Sequence, residues 1–195
     1  MYITRGQLSR VVDSFQQPLN ERRMFSSEHL DASVFLSHKH EEKTLLFQVK
    51  QFFENLGMSV YVDWLDTNMQ HPTDKKTAED LKKQIDENDK FIFIASNDAM
   101  DSPWCSWEIG LGDALKLKDD KIAILPVAEN DGTWKKHEYL QIYPHLEYED
   151  GTNHFSDGSV ITKGYYIKYP YVNGKRDVVK LEKWLRKGMP TTKFL

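Results

Sequence analysis

Glu108 is an acidic residue on the otherwise apolar side of a predicted helix. Ser102 suits the position that caps a helix, and Pro103 suits the first helical turn. Helical spacing places four residues on one face: Trp104, Glu108, Leu111 and Leu115. A carboxylate in such a stripe is costly to desolvate unless it is paired. Two interpretations follow: a functional acid, or a glutamate at the edge of the stripe that reaches water or a lysine.

One carboxylate beside an indole ring suits cleavage of the N-glycosidic bond of a nicotinamide dinucleotide. Nicotinamide leaves as a neutral group, so the reaction needs no general acid, whereas ordinary glycoside hydrolysis uses two carboxylates. The transition state carries positive charge on the ribose, and a carboxylate that binds the ribose hydroxyls stabilises that charge. Glu108 is the candidate for this role.

Other residues permit other chemistries. His38 and His40 are close in sequence, but a third and a fourth metal ligand are not identifiable, so we predict no metal site. Cys105 lies in a first helical turn, where a thiol can be activated, but packing is the favoured interpretation. Lys39 and the amides after Ser37 could hold a phosphate, although a solvated loop lysine fits the sequence better.

Strands and helices alternate along the first two thirds of the chain. We predict strands at Ser33–Ser37, Met58–Val62, Phe91–Ala95 and Lys121–Val127. Helices are predicted at residues 4–17, 41–56 and 77–87 and after Ser102, and residues 63–75 are predicted to be a polar loop. This alternation predicts a flavodoxin-like α/β fold with a parallel sheet, helices on both faces and strand order 2-1-3-4.

The predicted topology brings three polar stretches together. Ser37–His40, Asp63–Asp66 and Ser96–Cys105 each follow a strand. Open parallel sheets bind ligands beyond the carboxyl ends of their strands, so these stretches should converge with Glu108.

Composition limits the class of protein. The chain has 195 residues, a net charge of −4 and one cysteine, which argues against nucleic-acid binding and against a disulfide framework. The first ten residues lack the apolar core of a signal peptide, and no apolar run of membrane-spanning length occurs. We therefore expect a cytoplasmic protein with no membrane partner.

Three sequence segments together resemble a TIR (Toll/interleukin-1 receptor) domain. They are Val34-Phe35-Leu36-Ser37, Tyr61-Val62-Asp63, and Ser102-Pro103-Trp104-Cys105-Ser106-Trp107-Glu108. The resemblance covers residues 31–127. Within the family the chain is most similar to the ThsB group, the bacterial TIR proteins of Thoeris antiphage defence. Three features carry this similarity: a leading helix before the TIR core and the two sequence segments FLSHKHEEK and DSPWCSWEIGLGDAL. The sequence departs from the compact TIR ending after Val127.

The resemblance implies roles for individual residues. Glu108 corresponds to the catalytic acid of TIR enzymes that cleave NAD, and Trp104 and Trp107 would line the site. The other implied substrate-binding residues are Phe35, Ser37, His38, Lys39, Asp63 and Trp64, with Ser37 to Lys39 at the diphosphate end. The segment from Asp63 to His71 would act as a lid. NAD is a substrate here, and no cofactor is implied.

By family implication, the protein senses infection, for which a phage-derived trigger is a candidate, and converts NAD to a cyclic ADP-ribose isomer. That product activates a separate effector that depletes NAD, and the active enzyme is a homo-oligomer. A non-enzymatic TIR adaptor that acts through protein–protein assembly is the alternative. A third interpretation is a nucleoside transferase or another flavodoxin-like nucleotide binder, with Glu108 as the nucleophile.

We divide the chain into an N-terminal helix and linker, residues 1–30, and a TIR-like domain, residues 31–195. Within the domain, residues 31–127 are the core and residues 129–175 an irregular insertion with a hairpin at Asn173-Gly174 or Asp157-Gly158. A final helix over residues 177–187 should begin with Asp177 as its cap.

Overall fold

A computed structural model describes residues 1–15, 32–63 and 75–186, with the side chains of residues 11–15 left aside. The predicted linker before residue 31, Trp64, nearly all of the predicted lid and the end of the final helix lie outside the described residues. Within these ranges, no helix combines the length and the apolar character that crossing a bilayer requires.

The described elements follow the predicted alternation. The strands are β1 (Ile3–Thr4), β2 (Ser33–Ser37), β3 (Ser59–Tyr61), β4 (Lys90–Ala95), β5 (Ile122–Ala128), β6 (His145–Glu149), β7 (Gly164–Lys168) and β8 (Val178–Lys180). The α-helices are α1 (Arg5–Phe15), α2 (Lys43–Asn55), α3 (Lys75–Glu87), α4 (Pro103–Gly112) and α5 (Leu181–Leu185). A π-helical turn, Asp113–Leu117, follows α4 directly.

The sheet confirms the predicted strand order. Its path is β3-β2-β4-β5-β6-β7-β8, so the four predicted strands are arranged 2-1-3-4. The strands from β3 to β6 are parallel, and β7 and β8 run antiparallel to their neighbours. The carboxyl ends of β2, β3 and β4 therefore lie at the same edge of the sheet.

Side chains of the central strands pack on both faces of the sheet. Ile92 and Ile94 of β4 belong to a cluster that includes apolar residues of α2 and α5. Phe91 and Phe93 of the same strand belong to a second cluster, with residues of α3 and α4. Because neighbouring residues of a strand point to opposite faces, the apolar run Phe91–Ala95 of β4 requires helices on both sides, as predicted.

The N-terminal segment is attached to the sheet. Ile3 and Thr4 pair in parallel with Val127 and Ala128 of β5, so the helix predicted from residue 4 begins at Arg5. Arg5 bridges Glu42, at the start of α2, and Glu129, which follows β5. This ion-pair network ties the N-terminal segment across the carboxyl ends of the strands.

The region after residue 128 contains more regular structure than predicted. The strands β6 and β7 extend the sheet, and turns occur at both predicted hairpin positions, where His154 pairs with Val160 and Val172 with Lys175. The final helix begins at Leu181 and not at residue 177, because Val178–Lys180 pairs with β7 as an edge strand.

Candidate active site

The start of α4 is built as the sequence predicts. Ser102 caps the helix, since its Oγ accepts a hydrogen bond from the backbone N–H of Cys105 at 3.4 Å, and Pro103 occupies the first turn. Cys105 and Ile109 pack in the core against the sheet. Their packing fixes the rotation of the helix and carries Glu108 inward beside them.

Glu108 is buried with a polar partner. Its side chain is 1% exposed, and Ser37, at the end of β2, donates a hydrogen bond from Oγ to its Oε2. The interpretation that this glutamate lies at the edge of the stripe and reaches water or a lysine is therefore wrong. The acid is held inside the protein, at the carboxyl end of a central strand.

Burial controls the charge state of this carboxyl. It raises the pKa of Glu108 to about 8, and the negative charge of nearby Asp63 contributes in the same direction. The hydrogen bond from Ser37 and the charge of His40 act against this change and lower the pKa. Because the raising causes prevail, a large fraction of Glu108 is protonated at neutral pH in the free protein.

Trp104 and Trp107 form an aromatic pair beside the acid. Their ring centroids are 4.9 Å apart at an interplanar angle of 31°, and both side chains are half-buried. The Trp104 indole N–H is buried, and in the described part of the chain it has no hydrogen-bond partner of good geometry. It nevertheless points close enough to the Glu108 carboxyl to help lower the pKa of that group. A buried donor of this kind can be satisfied by a polar group of a ligand.

His38, His40 and Asp63 meet at the same edge of the sheet. His40 Nε2 lies 2.9 Å from Asp63 Oδ2, and His38 Nδ1 lies 3.8 Å from Asp63 Oδ1. Desolvation lowers the pKa of His38, whereas the hydrogen bond to Asp63 raises the pKa of His40. The structure thus places a neutral imidazole and a more readily protonated one around a single carboxylate.

Lys39 and Phe35, two of the implied substrate-binding residues, differ from each other in exposure. Lys39 is half-exposed beside the histidines, where an anionic group could reach it. The Phe35 ring is fully buried and stacks between Tyr61 and Phe91, with centroid distances of 5.5 and 5.6 Å. The Phe35 ring therefore packs in the aromatic core of the site, and its implied contact with substrate stays a prediction.

Cys105 has the surroundings of a packing residue. The thiol is buried, and desolvation raises its pKa to about 12. The carboxylates of Glu108 and Asp63 act in the same direction, and the hydrogen bond to Ser102 only partly opposes them. A thiol with so high a pKa supplies almost no thiolate at neutral pH, which favours packing over a nucleophilic role.

We therefore expect Cys105→Ala to keep the activity of the protein within a few-fold of the original. The substitution removes one small buried atom and leaves Glu108 and Ser37 in place. Initial rates of NAD cleavage, measured with a melting curve of each protein, test this. Inactivation by a thiol reagent that spares a folded Cys105→Ala protein would contradict it.

A comparison with known families matches residues 34–159 to the TIR domain. The chain belongs to the TIR domain family. The match begins in β2 and extends past β6, so it contains Glu108 and the residues named above that bond to it or affect its charge state. It also extends past Val127, where the resemblance in the sequence ends.

Two relatives of this TIR domain have names that refer to cyclic ADP-ribose. The chain is 33% identical over 117 residues to a Bacillus cereus (strain MSX-D12) protein named as a probable 3' cyclic ADP-D-ribose synthase, ThsB'. It is 24% identical over 102 residues to a Cytobacillus dafuensis protein named as a candidate cyclic ADP-D-ribose synthase, TIR2. The first alignment covers 58% of this chain and 59% of the relative, and the second covers 49% and 27%. The chain thus spans less than two thirds of either relative, and the first similarity agrees with the resemblance to the ThsB group.

The TIR fold brings together most of the residues that the sequence indicated. Ser37 and Trp104 surround Glu108, and Asp63 and His40 affect its charge state. The role of His40 beside Asp63 was not predicted. The sequence signal was present, since Asp63 follows a strand that pairs with β2, but the direction of both side chains was needed to recognise the pair.

Proposed function

We propose that this TIR domain cleaves NAD and cyclises the ADP-ribose part into a signalling nucleotide. The observation that carries the proposal is the buried carboxyl of Glu108, hydrogen-bonded to Ser37 at the carboxyl edge of the sheet. Its burial beside Asp63 makes ionisation unfavourable, as the raised pKa indicates. A domain that acts only as an adaptor gains nothing from this cost, so the geometry favours the enzyme over the adaptor. The names of the two relatives support the same activity.

The proposed reaction needs few protein groups. The bond between ribose C1′ and the nicotinamide nitrogen breaks, and its electron pair leaves with neutral nicotinamide. The Glu108 carboxylate stabilises the resulting positive charge by accepting hydrogen bonds from the ribose hydroxyls. An internal nucleophile of the ADP-ribose part then attacks C1′ and loses a proton, which closes the ring.

Cyclisation requires that water is kept from C1′ while the internal nucleophile is held close to it. The Trp104–Trp107 pair offers a flat apolar surface next to Glu108 that can cover a substrate ring. Lys39 and His40 lie at the same edge and can attract the diphosphate. Trp64 and the rest of the lid belong to the proposed site through the family resemblance.

The wider role is part of this proposal. The cyclic product activates a separate effector that depletes NAD, in the cytoplasm and after infection by a phage. Incubation of the purified chain with NAD, with and without extract from infected cells, tests the chemistry by mass spectrometry. We expect free nicotinamide and a product one water lighter than ADP-ribose. NAD that stays intact under both conditions would contradict the proposal.

We expect the specific activity of the isolated protein to rise with its concentration or on addition of the trigger. Glu108 and Ser37 are each 1% exposed, so NAD reaches the carboxyl only in a conformation that opens the site. If a second subunit stabilises that conformation, the competent state is a minor population of the monomer, and activity falls by that fraction. Initial rates over a dilution series, with the oligomeric state followed by light scattering, test this. Constant specific activity from a confirmed monomer would contradict the requirement for assembly.

A further inference from the structure

We propose that His38, His40 and Asp63 bind one divalent transition-metal ion, with Zn²⁺ as the expected ligand. One ring nitrogen of each histidine and one carboxylate oxygen of Asp63 all lie within 4.8 Å of one another. Two of these residues directly follow β2 and the third follows β3, and these neighbouring parallel strands end at the same edge. The site is thus positioned by the sheet, with two of its three side chains buried.

The chemistry of the three donors selects the kind of ion. Imidazole nitrogen together with carboxylate oxygen suits Zn²⁺ and other first-row transition metals, whereas Mg²⁺ and Ca²⁺ prefer sites made of oxygen. Three protein ligands leave a fourth tetrahedral position open, as in zinc sites that also bind water or a substrate group. His40 is the adaptable ligand, because its side chain is 50% exposed.

The hydrogen bonds of His38 fit a metal ligand. Nδ1 lies 3.1 Å from the backbone carbonyl oxygen of Leu36, which can only accept, so this nitrogen carries the proton. Nε2 is then a bare acceptor, and it is buried without a hydrogen-bond partner in the described ranges. Metal-bound histidines commonly donate one ring N–H to a backbone carbonyl and bind the ion through the other nitrogen. An ion bound through Nε2 would satisfy this atom and leave the bond to Leu36 in place, whereas Nδ1, the nitrogen that lies 3.8 Å from Asp63 Oδ1, would have to give up its proton and that bond to become the ligand.

The position of the ion has a consequence that rests on the proposed function. Asp63 and His40 both act electrostatically on Glu108, so a dication held by them lies near the reacting ribose. A positive charge there opposes the positive charge that develops on the ribose in the transition state. We therefore expect an occupied site to slow NAD cleavage.

Direct binding tests the site without any reference to activity. The full chain is treated with a chelator, dialysed and titrated with ZnCl₂ in a calorimeter, and CoCl₂ is added separately to record the visible spectrum of a tetrahedral ion. We expect one Zn²⁺ per chain and a higher melting temperature in its presence. His40→Ala should weaken binding by at least about tenfold, because a ligand is lost. His154→Ala, which changes an exposed histidine outside the cluster, should bind like the original chain.

Two outcomes would overturn the proposal: a folded chain that shows no saturable binding, or a His40→Ala protein that binds Zn²⁺ as tightly as the original. Asp63→Asn is a second ligand variant, and its unchanged affinity would also count against the site. Because these measurements contain no NAD, their failure is distinct from a failure of the proposed function. If Zn²⁺ binds and NAD cleavage is not slowed, the site stands and only its effect on catalysis is wrong.

Discussion

Replacing Glu108 with glutamine is expected to reduce NAD cleavage by about a hundredfold or more. The amide keeps the shape of the side chain and can still interact with Ser37, but it lacks the negative charge that stabilises the ribose cation. Loss of one such electrostatic contact typically costs ~3 kcal/mol of transition-state stabilisation. Steady-state rates of nicotinamide release from NAD, followed by chromatography, measure the effect.

The same variant separates a catalytic role from a structural one. Burial raises the pKa of Glu108 to about 8, so the native state holds its proton more tightly than the unfolded chain does. The contribution of this group to stability therefore falls as the pH rises from 4.5, the ordinary pKa of glutamate, to about 8, and stays low above that pH. Glutamine does not titrate, so Glu108→Gln should melt at a higher temperature than the original protein at alkaline pH.

Glu138→Gln is the matched control for this experiment, because Glu138 is exposed in a short turn after β5. It should leave both the rate of NAD cleavage and the melting temperature unchanged. A Glu108→Gln protein that cleaves NAD at the original rate would contradict the assignment of Glu108. A Glu108→Gln protein that is inactive but strongly destabilised at alkaline pH would indicate a structural role instead.

The central sheet could be predicted because its signals are local. The four central strands are short apolar runs, and right-handed crossovers then limit their order. The N-terminal strand β1 was missed because two residues carry no periodic pattern, and its pairing with β5 depends on chain distant in sequence. Only contacts formed by the folded chain reveal such a strand.

The strand β6 illustrates why the later part of the sheet was missed. Glu147 and Glu149 are charged, and charged residues normally indicate an exposed segment, yet both are buried. Lys168 of β7 donates hydrogen bonds to both carboxylates, at 3.0 Å for Glu147. The partner that permits their burial lies about twenty residues away in sequence, so the segment could not be recognised from its own composition.

The site shows the same division between local and distant signals. Glu108 and Trp104 could be predicted from helical spacing, and the proximity of Ser37 followed from the topology of parallel strands. The contact between His40 and Asp63 depends on side-chain directions at the ends of two strands, which a sequence does not specify. The full burial of the Phe35 ring has the same origin, because a motif identifies a residue but not the depth of its side chain.

The pH dependence of kcat/KM is expected to follow the ionisation of Glu108. The carboxylate is the active form in the proposed reaction, and kcat/KM reports the free enzyme. With a pKa of about 8, the value should fall about tenfold per pH unit below that midpoint and level off above it. The profile is recorded with a chelator present, so that no bound ion changes the charge around Asp63.

Asp63→Asn tests which charges set this midpoint. Asp63 and His40 are two charged groups that act on Glu108, and Asp63 has the larger effect of the two, in the raising direction. Asparagine removes the anion and also makes His40 less basic, which partly opposes the change, since the His40 cation lowers the pKa of Glu108. The larger effect should prevail, and the midpoint of the profile should move to lower pH. An original midpoint near 4.5, the ordinary value for glutamate, or a midpoint that Asp63→Asn leaves in place would show that burial beside Asp63 does not control the acid.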